Sequence, residues 1–176
     1  GFNINWKEVE KESEPFPPLG VTIAQVLLKK LEKIKSPDFD KYFTGENRLY
    51  APYLFYKDYF MEGKPASVPR RNLKLLDILA MVSQTGGVPV LAHPGAYFQR
   101  TDREDLIRLE EHGLEGLEVY SSYHDADQCE YYRSIAGELD LIPTVGSDFH
   151  GEIKPLISLG MLDQGGYWMI ERLRER

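Results

Sequence analysis

A single cysteine, Cys129, stands among 176 residues, so no internal disulfide framework can staple this chain. One thiol is compatible with a reducing, cytoplasmic setting, and Cys129 reads as a helix residue facing a core. Long apolar runs are also missing. None approaches the roughly 20 residues that cross a bilayer, and the amino terminus lacks the basic-then-apolar order of a secretion signal. The expectation is a soluble chain with no membrane partner. Basic charge is scarce too: 21 Lys and Arg against 28 Asp and Glu leave a formal net charge of −7. That balance argues against a broad basic surface for long nucleic acid, whose binding depends on many phosphate neutralisations. A small anionic substrate stays open, because bound divalent cations would invert the local potential. Length and a 42% hydrophobic content suit one domain, or a domain with a smaller subdomain, around a real core.

What is present changes character near residue 70. Residues 1–70 carry helical patches separated by breakers. Asn5 with Glu8, and Thr22 with Gln25, have the spacing of capping pairs, and Pro15, Pro17 and Pro18 mark a loop between them. Apolar residues at Ile23, Val26, Leu27, Leu31 and Ile34 predict an amphipathic helix with Lys29, Lys30 and Lys33 turned to water. Phe39 to Phe43 reads as a short helix ended by Gly45. The aromatics from Tyr50 to Phe60 could stack on bases, but without periodicity they fit better as the packing of a small helical subdomain.

Residues 71–176 alternate helix and strand. Asn72 can cap a helix presenting Leu75, Ile78, Leu79 and Val82 on one face, and Gly86 with Gly87 stops it. A strand to Leu91 follows, then a helix opened by Thr101 with Glu104 and running through His112. Next come a strand Gly116 to Tyr120, a helix opened by Asp125, and a strand Leu141 to Val145. A last strand, Leu156 to Leu162, and a charged helix complete the pattern. Repeated helix-then-strand units imply a parallel sheet with right-handed crossovers.

Polar clusters sit where three of those strands end. Asp148 and His150, two residues apart after an apolar strand, would project to one side of an extended chain, roughly 7 Å apart at the backbone. They form a candidate metal-ligand pair. His93 ends another strand, where Pro94 disfavours the helical region and favours an extended backbone. His124 follows the third. Each alone could be a surface turn or a satisfied structural histidine; together, at the carboxyl ends of parallel strands, they mark a site. His112 lies in a last helical turn, where the dipole favours a cation, and is left outside it.

Leu91-Ala92-His93-Pro94, then Gly116 to Tyr120 followed by His124, then Gly146-Ser147-Asp148-Phe149-His150-Gly151 resemble, in order and spacing, motifs of the polymerase and histidinol phosphatase (PHP) family. The resemblance is to its branch of metal-dependent phosphoesterases, which includes nucleotide phosphatases and 5′-to-3′ exoribonucleases. It implies a distorted barrel of seven strand and helix units, with a helical insertion before the Ala-His-Pro motif. On that reading residues 1–70 are the α-helical insertion and residues 71–176 the C-terminal units of the barrel. The resemblance further implies that His93, Asp148 and His150 are metal ligands within a cluster of two or three divalent ions: manganese, iron or zinc. It makes His124 a catalytic proton donor or a substrate phosphate contact. Glu118 would orient His124, stabilise the strand end or contact substrate, or serve as a structural hydrogen-bond acceptor.

Two departures accompany the matches. The family's His-x-His motif, and the further acid, histidine and bridging glutamate that precede the insertion, have no counterpart here. An Arg-Pro-His element at the main insertion helix is replaced by Leu19-Gly20-Val21-Thr22. The chain is therefore expected to be part of a longer hydrolase, binding one metal ion or none by itself and inactive alone. The whole protein would hydrolyse a phosphate ester of a nucleotide, a small metabolite or a short oligonucleotide with metal-activated water. Unpaired strand edges make self-association an expectation. The rival reading is a noncatalytic scaffold or anion-binding module lacking a complete metal site.

Overall fold

The computed structural model describes residues 3–69, 71–97 and 100–176. The chain divides into two compact units: Gly1–Arg71 with His150–Pro155, and Asn72–Phe149 with Leu156–Arg176.

The first unit is helical. Helix α1 (Trp6–Ser13) opens on the expected capping box, in which the Asn5 side chain accepts from Lys7 N at 3.0 Å and Glu8 reaches back to the Asn5 amide. Helix α2 (Gly20–Ile34) begins two residues before Thr22, as soon as the proline pair is passed. Thr22 therefore lies inside the first turn and accepts from Leu19 N at 3.2 Å, rather than capping with Gln25. Two 3₁₀ turns, Pro37–Tyr42 and Gly45–Tyr50, lead into α3 (Ala51–Tyr59). The aromatic stretch packs inward: Phe55 is buried, stacked on Tyr59 at 4.6 Å and edge-on to Tyr42 at 5.2 Å. Rings engaged in this way fill the core around Leu27, Leu28 and Leu31 and are not available to stack on bases. Lys29 and Lys30 do more than face water, since they pair with Glu12 and Glu8 and tie α2 to α1.

The second unit is a three-stranded parallel sheet in the order β1-β2-β3, with β1 Val90–Leu91, β2 Gly116–Ser121 and β3 Ile142–Gly146. Helices α4 (Leu75–Gln84), α5 (Arg103–Glu110) and α6 (Ala126–Glu138) supply Leu79, Leu106, Leu109, Tyr132, Ile135 and Ala136 to one core with Leu117 and Val119 of β2. Sequential strands pair in sequential order because each crossover helix buries its apolar stripe against the same sheet. Between β2 and β3 the register passes from Glu118↔Thr144 to Tyr120↔Val145, so Val119 is an extra residue, a bulge in the central strand.

Helix α5 is capped one residue later than the sequence suggests. Asp102, not Thr101, is the N-cap and accepts from Asp105 N at 3.0 Å. Thr101 is committed elsewhere, its buried amide donating to the Pro94 carbonyl at 2.8 Å. Leu156 to Leu162 forms no strand: Pro155 lacks a donor and Gly160 takes a left-handed φ of +68°, both unsuited to a ladder. Helix α7 (Tyr167–Arg174) ends the chain and seats Met169 in the interior. No helix of the described residues is long and apolar enough to cross a membrane.

Leu106 is fully buried, so Leu106→Ala should cost about 2–5 kcal/mol in urea unfolding, against about 1 kcal/mol for Asp102→Ala at the cap. In the first unit, hydrogen bonds from Lys41 and Tyr42 hold the Asp58 carboxyl below its ordinary value of 3.8. A carboxylate with a depressed folded pKa contributes stability above its unfolded pKa and loses it as pH falls through the folded one. Thermal melts of the wild type should therefore drop relative to their neutral value below about pH 4, with Asp58→Asn showing a smaller drop over the same interval.

Candidate functional site

Three polar groups stand at neighbouring strand ends. His93 lies two residues beyond β1, Glu118 inside β2, and Asp148 two residues beyond β3. Because Leu117 and Val119 are buried in the helix-covered core, alternation turns Glu118 to the opposite face. There its Oε2 accepts the backbone N–H of His93 at 2.7 Å. Its Oε1 lies against Gly146 so closely that a Cβ at that position would collide with it. One carboxylate on the central strand thus touches both flanking strand ends. Burial pushes the Glu118 carboxyl above its ordinary value, and the negative charge of Asp148 adds to this. The His93 amide, the Ser121 hydroxyl and the His93 ring pull the other way.

The backbone at both ends departs from the extended form expected of it. His93 has φ +33° and Asp148 φ +55°, each in the left-handed region. Proline at 94 disfavours the right-handed helical basin for His93, and in its left-handed conformation the His93 amide donates to Glu118. Non-glycine residues held there cost on the order of 1–3 kcal/mol each, and such positions cluster at functional sites. Since β3 ends at Gly146 and Asp148 is left-handed, Asp148 and His150 do not share one side of an extended strand.

Tyr123 joins the two ends. Its hydroxyl donates to Asp148 Oδ2 at 2.8 Å, and its ring meets the His93 imidazole edge-on with centroids 5.5 Å apart. His93, Glu118, Tyr123 and Asp148 are therefore brought to one rim of the sheet. Tyr123 was not singled out as a site residue from sequence, although its place immediately before His124, after β2, is the signal that could have found it. His150 is exposed and falls in the first unit, heading the 3₁₀ turn Gly151–Ile153. Among the described residues no three His, Cys, Asp or Glu side chains are disposed to hold a metal ion.

His124 is half-buried, and both of its ring nitrogens are occupied. Nε2 accepts from Gly95 N at 2.9 Å, and Nδ1 lies 2.8 Å from the Val119 carbonyl. Beside it, Tyr120, Ser121, Asp125, Cys129 and Arg133 line a cavity of about 520 Å³ where β2 gives way to α6. Cys129 is partly buried there, its thiol pushed up mainly by burial and further by Asp125.

No family model matches the chain. It is 31% identical over 121 residues to a 3′,5′-nucleoside bisphosphate phosphatase of Chromobacterium violaceum, an alignment spanning 68% of this chain and 42% of that protein. It is 29% identical over 97 residues to a 5′-3′ exoribonuclease of Haemophilus influenzae, over 54% of this chain and 35% of the other. Among solved structures, one assigned as a metal-dependent phosphoesterase from Bifidobacterium adolescentis superposes with a TM-score of 0.70 at 26% identity, covering 98% of this chain and 56% of that one. The chain thus spans about a third to a little over half the length of these proteins. Three motifs in order, a parallel α/β fold and relatives that act on phosphate esters identify the chain as a member of the PHP family.

Proposed function

We propose that this chain is part of a metal-dependent phosphoesterase, with residues 1–70 as a helical insertion and residues 71–176 contributing strand and helix units to a seven-unit barrel. The observation that carries the proposal is the gathering of His93, Glu118, Tyr123 and Asp148 at one rim of the three-stranded parallel sheet, with Tyr123 touching both His93 and Asp148. Ligand sites of α/β sheets gather at that end.

An imidazole and a carboxylate are a donor set that suits manganese, iron or zinc better than calcium, and a cation would relieve the crowding of Glu118 against Asp148. His93 and Asp148 would hold the ion. Such an ion, when bound, supplies positive charge for phosphate oxygens and lowers the pKa of water. The chain's own residues do the rest. Glu118 fixes the His93 backbone. Tyr123 orients the Asp148 carboxylate by donating to Oδ2. The substrate class is a phosphate ester of a nucleotide, a small metabolite or a short oligonucleotide, as the names of the relatives suggest. Two or three ligands hold a single ion weakly, so the chain alone is inactive, and the scaffold reading applies to it in isolation.

Isothermal titration with zinc should show at most one ion bound to the wild-type chain, with affinity at least tenfold lower in Asp148→Asn and in His93→Gln. Unchanged affinity in both variants would overturn the assignment. In a manganese-supplemented assay, the chain alone should release no phosphate from a nucleoside 3′,5′-bisphosphate, whereas a longer form carrying the additional family ligands should. Full activity of that longer form with Asp148→Asn would contradict the proposal.

A further inference from the structure

The structure assigns His124 a different duty from proton transfer or phosphate binding: it is a positioning residue, a neutral imidazole protonated on Nδ1 that holds the His93-Pro94-Gly95 turn in place. This rests on the reading of that turn as part of the metal site.

The tautomer follows from the partners. Gly95 N can only donate, so Nε2, 2.9 Å away, must present its lone pair. The proton then resides on Nδ1, which donates to the Val119 carbonyl at 2.8 Å. Val119 is the bulged residue that the β2–β3 register skips, so His124 closes the gap in the ladder with one nitrogen and grips the turn with the other. Protonating Nε2 would replace that acceptor with a donor facing the Gly95 N–H.

His124 does not act alone. Residues 124, 128 and 132 recur every fourth position, one stripe on and just before α6. Gln128 Nε2 donates to the Gly95 carbonyl at 3.1 Å, while its Oε1 accepts from Asp125 N at 3.1 Å in the capping box. Tyr132 stacks on the His124 ring at 5.1 Å, and its hydroxyl donates to the Thr101 carbonyl at 3.0 Å. Thr101 N in turn donates to Pro94 O at 2.8 Å. Both backbone groups of Gly95, and the far end of its loop, are thus held by a single helical stripe. Glycine is required at 95 for a matching reason: a Cβ there would lie 2.9 Å from the His124 ring and 2.8 Å from Gln128 Nε2.

Nitrogen-15 NMR of the imidazole in the wild-type chain at neutral pH reads the tautomer directly; the result expected is a protonated Nδ1 and a bare Nε2, and a protonated Nε2 overturns the inference. Exchange of the Gly95 amide should quicken about tenfold in His124→Ala, without a comparable change at the Leu117 amide in the core. Equal acceleration at both amides would reduce the effect to general destabilisation and refute positioning. His124→Gln keeps an acceptor near the place of Nε2 but can neither protonate nor ligate well. It should restore Gly95 protection and wild-type zinc affinity, and failure to restore either contradicts the assignment. Should zinc not bind even the wild type, the metal reading falls, while the tautomer and the Gly95 exchange still decide this one.

Discussion

The hydrogen bond from the His93 amide to the Glu118 carboxylate, 2.7 Å long, joins the turn after β1 to the middle of β2, and the geometry of the strand ends depends on it. Placing a carboxylate on a partly buried sheet face is costly unless its oxygens are satisfied. Burial does raise the pKa of Glu118, and the bond to His93 is the largest of the influences that lower it again. The other oxygen lies where only glycine fits at residue 146, so β3 is brought close to the central strand. The left-handed His93 and Asp148 stand on either side of this carboxylate, His93 bonded to it through its amide and Asp148 held by the Tyr123 hydroxyl, and such strain persists where surrounding contacts over-determine it.

Behind that bridge, α6 supplies a second set of restraints. The bulge at Val119 would leave a carbonyl with an irregular ladder, and His124 satisfies it. The same ring, with Gln128 and Tyr132, holds Gly95 and Thr101 by their backbone groups. The site therefore has two layers, a front of His93, Glu118, Tyr123 and Asp148 and a supporting stripe on one helix. Side chains in the support act through the backbone of the front, which is how second-layer groups usually tune a ligand site.

Much of the architecture was legible because it depends on local signals. The Asn5–Glu8 box caps α1 and Asp125 opens α6 as their places in the sequence suggest, and helix-strand alternation pointed to a parallel sheet. The site was legible at the level of strand ends and less so in detail. The sequence could not show that the His93 amide would bond to a carboxylate 25 residues away, or that His93 would leave the extended form. Nor could it show that both nitrogens of His124 would be consumed by backbone partners, because the bulge at Val119 leaves no mark in a run of apolar residues. Thr101 failed as a cap for a similar reason, its amide being taken by Pro94 across the loop. Tertiary hydrogen bonds overrode local spacing in each case.

An acidic chain with net charge −7 would have to gather cationic charge locally to meet an anionic ligand. The Glu118 carboxylate ties the His93 backbone to the central strand, and Tyr123 touches both the His93 ring and the Asp148 carboxylate. The most direct measurement is hydrogen exchange at the His93 amide in wild type and in Glu118→Ala. Hydrogen bonds to a charged acceptor are worth about 1.5–3 kcal/mol, so exchange should accelerate by about 10- to 100-fold in the variant. An exchange rate at His93 that does not change when the carboxylate is removed would contradict the account.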